Sequence, residues 1–234
     1  MTNFIFKKIG TIKSCFKQKF AIPRQPGIVK SATATIILED EFSSKEVVRG
    51  LDNYSHIWVI FVFHTSKISK NKNTVRPPRL GGDKRMGIFA TRSNYRPNPI
   101  GQSVVKLDGV EFIDKQVLIH LSGVDFLDGT PVLDIKPYIP YVDSVSDARA
   151  RFATHAPEKE FLVVIEQAAL DQVERATIAS GQNIKYLIEE LLSYDPRPRH
   201  TQPGQIFATR LFNYDLKWKI ENNVATVVSL ETLS

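Results

Sequence analysis

Gln102-Ser103-Val104-Val105-Lys106-Leu107-Asp108-Gly109-Val110-Glu111-Phe112 and, three residues later, Gln116-Val117-Leu118-Ile119-His120-Leu121-Ser122-Gly123-Val124 read as two strands. Alternation or β-branched enrichment marks both runs, and small or turn-forming residues bound them. Gly109, inside the first, suggests a bulge or bend. The same character extends upstream to Ile5–Lys13, Ala32–Leu38, His56–His64 and Met86–Thr91. Between the second and third of these runs, Ser43–Gly50 predicts a short helix, with Ser43 or Ser44 as N-cap and Gly50 at its end. Many strands with few helices favour a mainly β domain, an antiparallel barrel or sandwich, over a doubly wound parallel sheet.

The character changes near Asp143. Residues 1–143 form the β domain, 144–157 are small, polar and mixed in charge like a linker, and 158–234 form a smaller α+β domain. In that last part Glu160–Ile165 reads as a strand and Glu166–Ala179 as a helix. Ile184, Leu187, Ile188, Leu191 and Leu192 share one face of a helix over Gln182–Ser193. Strands follow at Ile206–Phe212, Tyr214–Glu221 and Val224–Leu230, with a tight hairpin at Glu221-Asn222-Asn223. Ile-Phe-Ala-Thr-Arg occurs at Ile88–Arg92 and again at Ile206–Arg210, which we read as two similar strands rather than a repeat.

Net charge is +6, but it is uneven: Lys67–Arg96 carries nine basic residues against Asp83 alone, so the rest of the chain nets −2. Such a stretch points to a polyanion, nucleic acid ahead of membrane. The longest apolar run, Ile57–Phe63, is too short to span a bilayer, and the opening residues do not read as a signal peptide. Cys15, the single cysteine, excludes an internal disulfide, fits a reducing cytoplasm and reads as a buried or idle thiol. Gly81-Gly82 lacks the context of a phosphate loop. No histidine pair has helical metal-ligand spacing, and serine-nucleophile signals are missing. For His64, at the end of an apolar strand, structural and ligand roles weigh equally.

Three stretches remain. Phe20-Ala21-Ile22-Pro23-Arg24-Gln25-Pro26-Gly27 is a proline-braced turn presenting Arg24 and Gln25. Met86–Gly101 runs through Arg96-Pro97-Asn98-Pro99, whose two prolines fix φ and hold Arg92, Arg96 and Asn98 on a stiff frame. Asp125–Tyr138 contains the Asp128-Gly129 turn and then Asp134 and Lys136 on the polar face of a short strand. With Tyr138 they could accept a proton, bind an adenine edge, or form one ion pair at a barrel rim.

Pro23-Arg24-Gln25, Thr74-Val75-Arg76-Pro77-Pro78-Arg79-Leu80-Gly81-Gly82, Gly87–Gly101 and Asp128–Tyr138 together resemble the TsaA-like (TrmO-type) tRNA methyltransferases. The resemblance runs from about Phe4 to Tyr141 and resumes through Asp195–Pro198 and Phe212–Trp218. It implies a non-Rossmann β-barrel enzyme, a cytoplasmic homodimer. With S-adenosyl-L-methionine it would methylate N6 of threonylcarbamoyladenosine at position 37 of threonine tRNA. Cofactor contacts would fall on Arg24, Gln25, Pro26, His64, Thr65, Arg92, Gln102, Asp128, Gly129, Thr130 and Pro131. Asp134 is the expected proton acceptor, and Tyr138 would stack on or hydrogen-bond the base. Lys136 or Arg96 would meet the threonyl carboxylate, and Asn98 would hold the purine edge or cap its turn. Arg76, Arg79 and Arg197 would meet phosphates. The C-terminal domain, with Trp218, would contact tRNA or serve dimerisation. The competing class is a non-catalytic barrel that binds RNA or senses S-adenosylmethionine.

Overall fold

A computed structural model describes residues 4–66, 73–77, 84–150, 153–198, 201–202 and 204–233. The chain divides into two compact units. The first comprises 1–13, 35–121 and 129–156, and the second comprises 14–34, 122–128 and 157–234.

The first unit is built on a closed six-stranded barrel, confirming the mainly β class. Its strands are β1 (Gly10–Ser14), β2 (Thr33–Leu38), β3 (His56–Val62), β6 (Ile100–Ile113), β7 (Gln116–Ser122) and β8 (Thr130–Pro137). A separate ribbon pairs β4 (Thr74–Val75) with β5 (Met86–Gly87). Around the barrel the order is β1-β2-β7-β6-β3-β8. Closure leaves none of the six with an unpaired edge. Alternate residues fill the interior: Ile12, Ile36, Ile57, Val59, Val105, Val117, Ile119 and Val132 are all buried. β6 shows the same period, with Gly101, Ser103, Val105 and Leu107 inward and Gln102 outward.

Three expectations fail locally. Strand pairing in β1 starts at Gly10 rather than Ile5, leaving Phe4, Ile5 and Phe6 exposed. Ser43–Gly50 forms turns rather than a helix, flanked by 3₁₀ turns at Asp40–Phe42 and Leu51–Asn53. The Ser43 hydroxyl, expected as a cap, donates instead to the Leu38 carbonyl at 3.1 Å. Met86–Thr91 is a strand only at Met86–Gly87, because Ile88–Ala90 winds into a 3₁₀ turn.

The second unit carries a four-stranded sheet of β9 (Leu162–Ile165), β10 (Phe207–Leu211), β11 (Tyr214–Glu221) and β12 (Val224–Thr232), in the order β10-β11-β12-β9. Among the described residues, besides the four-residue α1 (Pro140–Asp143) of the first unit, the α-helices are α2 (Gln167–Ser180) and α3 (Ile184–Ser193). Asn183 caps α3 by accepting from the Tyr186 amide at 3.1 Å. The expected hairpin is present, with Asn222 and Asn223 at φ 49° and 61°, the double left-handed turn that matches strand twist. Phe16 bridges Leu211, and the Lys17 amide donates to the Arg210 carbonyl at 3.2 Å, so an N-terminal segment borders β10. The core of this unit includes a cluster of three mutually contacting rings, Phe20, Phe207 and Trp218, with the indole N–H donating to Thr209 at 2.9 Å.

Candidate active site

In the first unit, β3 ends where the proline turn returns to the barrel. The Phe63 amide donates to the Pro99 carbonyl at 2.8 Å, which stitches the strand end to that turn. His64 and Thr65 follow and are exposed. Gly129 opens β8 in the left-handed region at φ 76°, its amide held by the Ile12 carbonyl at 2.8 Å. A β-carbon there would stand 4.0 Å from His64 Nε2, so bare Gly129 backbone faces the imidazole. Thr130 is buried opposite Ile12 and belongs to the barrel lining, while Pro131 lies opposite Thr11. Gln102 is exposed on β6, paired with Ile60.

The placement of Asp134 depends on a bulge. Phe61 pairs with Val132 and Ile60 with Asp134, leaving Leu133 as an extra residue. Thr130 and Val132 point inward, so strict alternation would carry Asp134 and Lys136 into the barrel. After Leu133 the phase reverses: Ile135 and Pro137 lie opposite buried Val59 and Ile57, and Asp134 and Lys136 face outward. Asp134 Oδ2 pairs with Lys136 Nζ at 2.7 Å, and its Oδ1 accepts from the Ile135 amide at 2.9 Å. Both side chains keep substantial solvent access, at 45% for Asp134 and 63% for Lys136. Tyr138 packs against the rings of Trp58 and His56, at centroid distances of 6.2 and 6.4 Å. Asp134 and Gln102 are cross-strand partners of the same residue, Ile60, on the outer barrel face. This face offers a carboxylate acceptor, an ammonium and a phenol side by side.

The turn after β5 uses Arg96 internally. Arg96 Nη1 donates to the carbonyls of Thr91 at 2.8 Å and Ile88 at 3.2 Å. Arg92, Asn98 and Arg76 are exposed. The Asn98 carbonyl accepts from the Ile100 amide at 2.7 Å, tightening the turn by its backbone. Arg79 lies outside the described residues.

In the second unit Arg24 is exposed, and Gln25 folds its amide onto the Arg24 carbonyl. Pro26 leads into Gly27, whose amide donates to Gly123 at 2.8 Å and anchors this turn. The Asp128 carboxylate is engaged by the chain itself: Oδ1 accepts from the Ser14 amide at 2.8 Å and Oδ2 pairs with Lys17 at 2.9 Å. Lys17, which the sequence reading missed, thus compensates the acid of the turn. Arg197 forks onto Asp195 through Nε and Nη2, at 2.7 and 3.0 Å, and lies over the Phe161 ring. That hydrogen bonding pushes the arginine pKa up. Trp218 is fully buried, which removes it as a surface contact for tRNA. Cys15 is buried as expected, and desolvation pushes its thiol up to about 12.

Two clefts are lined by none of the candidate site residues. One of about 290 Å³ in the second unit is lined by Lys30, Tyr186 and Phe212 among others, and one of about 410 Å³ in the first by Thr11, Glu39 and Gln116 among others.

Residues 11–144 match the tRNA-methyltransferase O N-terminal domain, and residues 158–233 match the TrmO C-terminal domain. The chain is 42% identical over 237 residues to a tRNA (adenine(37)-N6)-methyltransferase of Escherichia coli K12, covering 99% of each chain. It is 46% identical over 212 residues to a putative S-adenosylmethionine-dependent methyltransferase of Pseudomonas aeruginosa, covering 90% of each. The crystal structure of TrmO from Pseudomonas aeruginosa superposes with a TM-score of 0.84 at 37% identity, covering 98% of this chain and 99% of that one. With both domain models matched in sequence order and the same fold in the solved relative, the chain belongs to the tRNA-methyltransferase O (TrmO) family.

Proposed function

We propose that this chain is an S-adenosylmethionine-dependent methyltransferase acting on N6 of adenine 37 in tRNA, and that its acceptor is threonylcarbamoyladenosine in threonine tRNA. The observation that carries the adenine-37 reading is the match over 99% of the chain to a relative named tRNA (adenine(37)-N6)-methyltransferase. When bound, S-adenosylmethionine supplies a methyl group activated by its sulfonium. The chain supplies donors suited to an adenosine and a free amino-acid carboxylate. His64 stands beside the bare backbone of Gly129, whose φ of 76° lies in the left-handed region that favours glycine. In the first unit, His64, Thr65, Arg92, Gln102, Gly129 and Pro131 are our cofactor-holding residues. In the second they are Arg24, Gln25 and Pro26. Asp128 and Thr130 act differently, since the first closes its turn onto Ser14 and Lys17 and the second fills the barrel.

The acceptor nitrogen lies between a purine and a carbamoyl carbonyl, so its proton must leave as the new N–C bond forms. Asp134 is the acceptor for that proton. Lys136, exposed beside it, meets the threonyl carboxylate, and Tyr138 borders the base. Asn98 holds the purine edge. Arg76, Arg79 and Arg197 contribute to phosphate binding, so affinity falls steeply with salt. The enzyme works in the cytoplasm as a homodimer; half-exposed Trp58, Ile60 and Val62 on the outer barrel face support the dimer. Among the described residues no helix is long and apolar enough to cross a membrane.

The test is incubation with methyl-labelled cofactor and threonine tRNA carrying threonylcarbamoyladenosine but lacking its methyl group. Label should appear in the nucleoside at position 37. Binding of tRNA and cofactor without transfer would select the non-catalytic barrel instead.

A further inference from the structure

Phe89 is an apolar ring displayed on the most cationic part of the chain. It lies in the Ile88–Ala90 turn, where Ile88 is buried and Phe89 is 78% exposed. The turn is pinned at both ends. The Ile88 amide donates to the Asn73 carbonyl at 3.1 Å, and the Thr91 hydroxyl donates to the Ile88 carbonyl at 2.9 Å. Arg96 completes the frame. Its Nη1 bonds the Ile88 and Thr91 carbonyls while its guanidinium carbon sits 5.7 Å from the Phe89 ring centroid. A cation at that distance favours one ring face and fixes the ring without covering it.

The surroundings define the partner. From Lys84 to Leu107 the sequence contains no carboxylate, while Lys84, Arg85 and Arg92 are exposed there and Arg76 is exposed in the neighbouring ribbon strand's extension. A rigid aromatic face amid exposed basic residues suits a polyanion with flat apolar faces, which describes single-stranded nucleic acid.

We propose that Phe89 is a stacking platform for an unpaired nucleobase of the RNA substrate, and that Arg96 is the positioning residue that holds it. This rests on the tRNA-methyltransferase reading and assigns Arg96 to the frame of the site instead of the threonyl carboxylate. The base concerned is an unpaired loop base, because a paired base has its faces buried in the helix stack.

The test uses the full chain and a hairpin RNA with the anticodon loop of threonine tRNA, bearing a fluorescent adenine analogue in the loop. Phe89→Ala should weaken hairpin binding by roughly 5- to 150-fold and abolish the stacking-induced fluorescence change, and Phe89→Trp should restore both. Arg96→Lys, which keeps the charge but loses the guanidinium plane, should weaken the fluorescence change. Cofactor binding by calorimetry and affinity for a fully paired RNA should be unaffected by Phe89→Ala. Equal affinity of wild type and Phe89→Ala for the hairpin would overturn the proposal, as would an equal loss on paired RNA. Loss of self-association in Phe89→Ala by sedimentation, without loss of hairpin binding, would mark a protein–protein surface and also overturn it. A wild-type chain that stacks the analogue but transfers no methyl group would refute the activity and leave the platform standing.

Discussion

The ring of Phe61 lies against the α-carbon of Gly101: a β-carbon at residue 101 would stand 2.3 Å from Phe61 Cζ and 2.5 Å from Cε2. No rotation of a methyl group relieves such an overlap. Gly101→Ala should therefore destabilise the barrel by about 1–3 kcal/mol or more, seen as a lower denaturation midpoint. Phe61→Leu in the same chain should recover part of the loss, whereas additive losses would show that the ring is not the obstacle.

Cys15 makes the fold sensitive to alkali. Its thiol is pushed up from 9.0 to about 12 by burial, so the folded chain keeps its proton where the unfolded chain releases it. Below pH 9 both states hold the proton and this contribution is constant. From there to about pH 12 stability falls by about 1.4 kcal/mol per pH unit. Urea unfolding at stepwise alkaline pH should show this slope in the wild type and a shallower one in Cys15→Ala. The native thiol should also resist thiol reagents until the protein unfolds.

Glu190 is a buried carboxylate on α3 that ties down the loop before β2. Its Oε2 accepts from the Ser31 amide at 2.9 Å and from the Ser31 hydroxyl at 2.6 Å. Glu190→Ala should cost about 1–3 kcal/mol by leaving the Ser31 donors without their acceptor. Ser31→Ala, which removes only the hydroxyl, should cost less. Urea midpoints of the two variants check the order, and a reversed order would contradict it.

Asp134→Asn keeps the shape of the side chain but loses proton affinity. With tRNA and cofactor binding intact, its single-turnover methyl transfer should fall by roughly 10²–10⁴-fold. A full rate would leave Asp134 only its ion pair with Lys136.

Strand alternation exposed the barrel and the C-terminal sheet because half-buried strands write their faces into the sequence with period two. Helix α3 was equally legible, its five apolar residues falling on one face. The pentapeptide Ile-Phe-Ala-Thr-Arg shows where this ends. In the copy at Ile206–Arg210, Phe207 to Arg210 lie in β10, paired residue for residue with β11 from Phe207↔Trp218 to Arg210↔Asp215. In the copy at Ile88–Arg92 the first three residues wind into a 3₁₀ turn, Ile88–Ala90, and Arg96 holds it by the carbonyls of Ile88 and Thr91. The deciding groups lie outside the five residues, so no local propensity could distinguish the copies. Likewise, the motif around Asp128 was visible, but its occupation by Ser14 and Lys17 depends on long-range pairing. Trp218 illustrates the reverse error: its aromatic character suggested a contact, and its position in the sheet buried it.

The extra residue at Leu133 has a consequence for variation in this chain. Between Val132 and Asp134 the constraint falls on the count of residues before it falls on their identity. Removing one residue there would exchange the two faces of the strand end in a single event, turning Asp134 and Lys136 toward the apolar interior and Ile135 and Pro137 toward solvent. A point substitution leaves the phase of the strand in place, whereas a one-residue deletion is a change of parity.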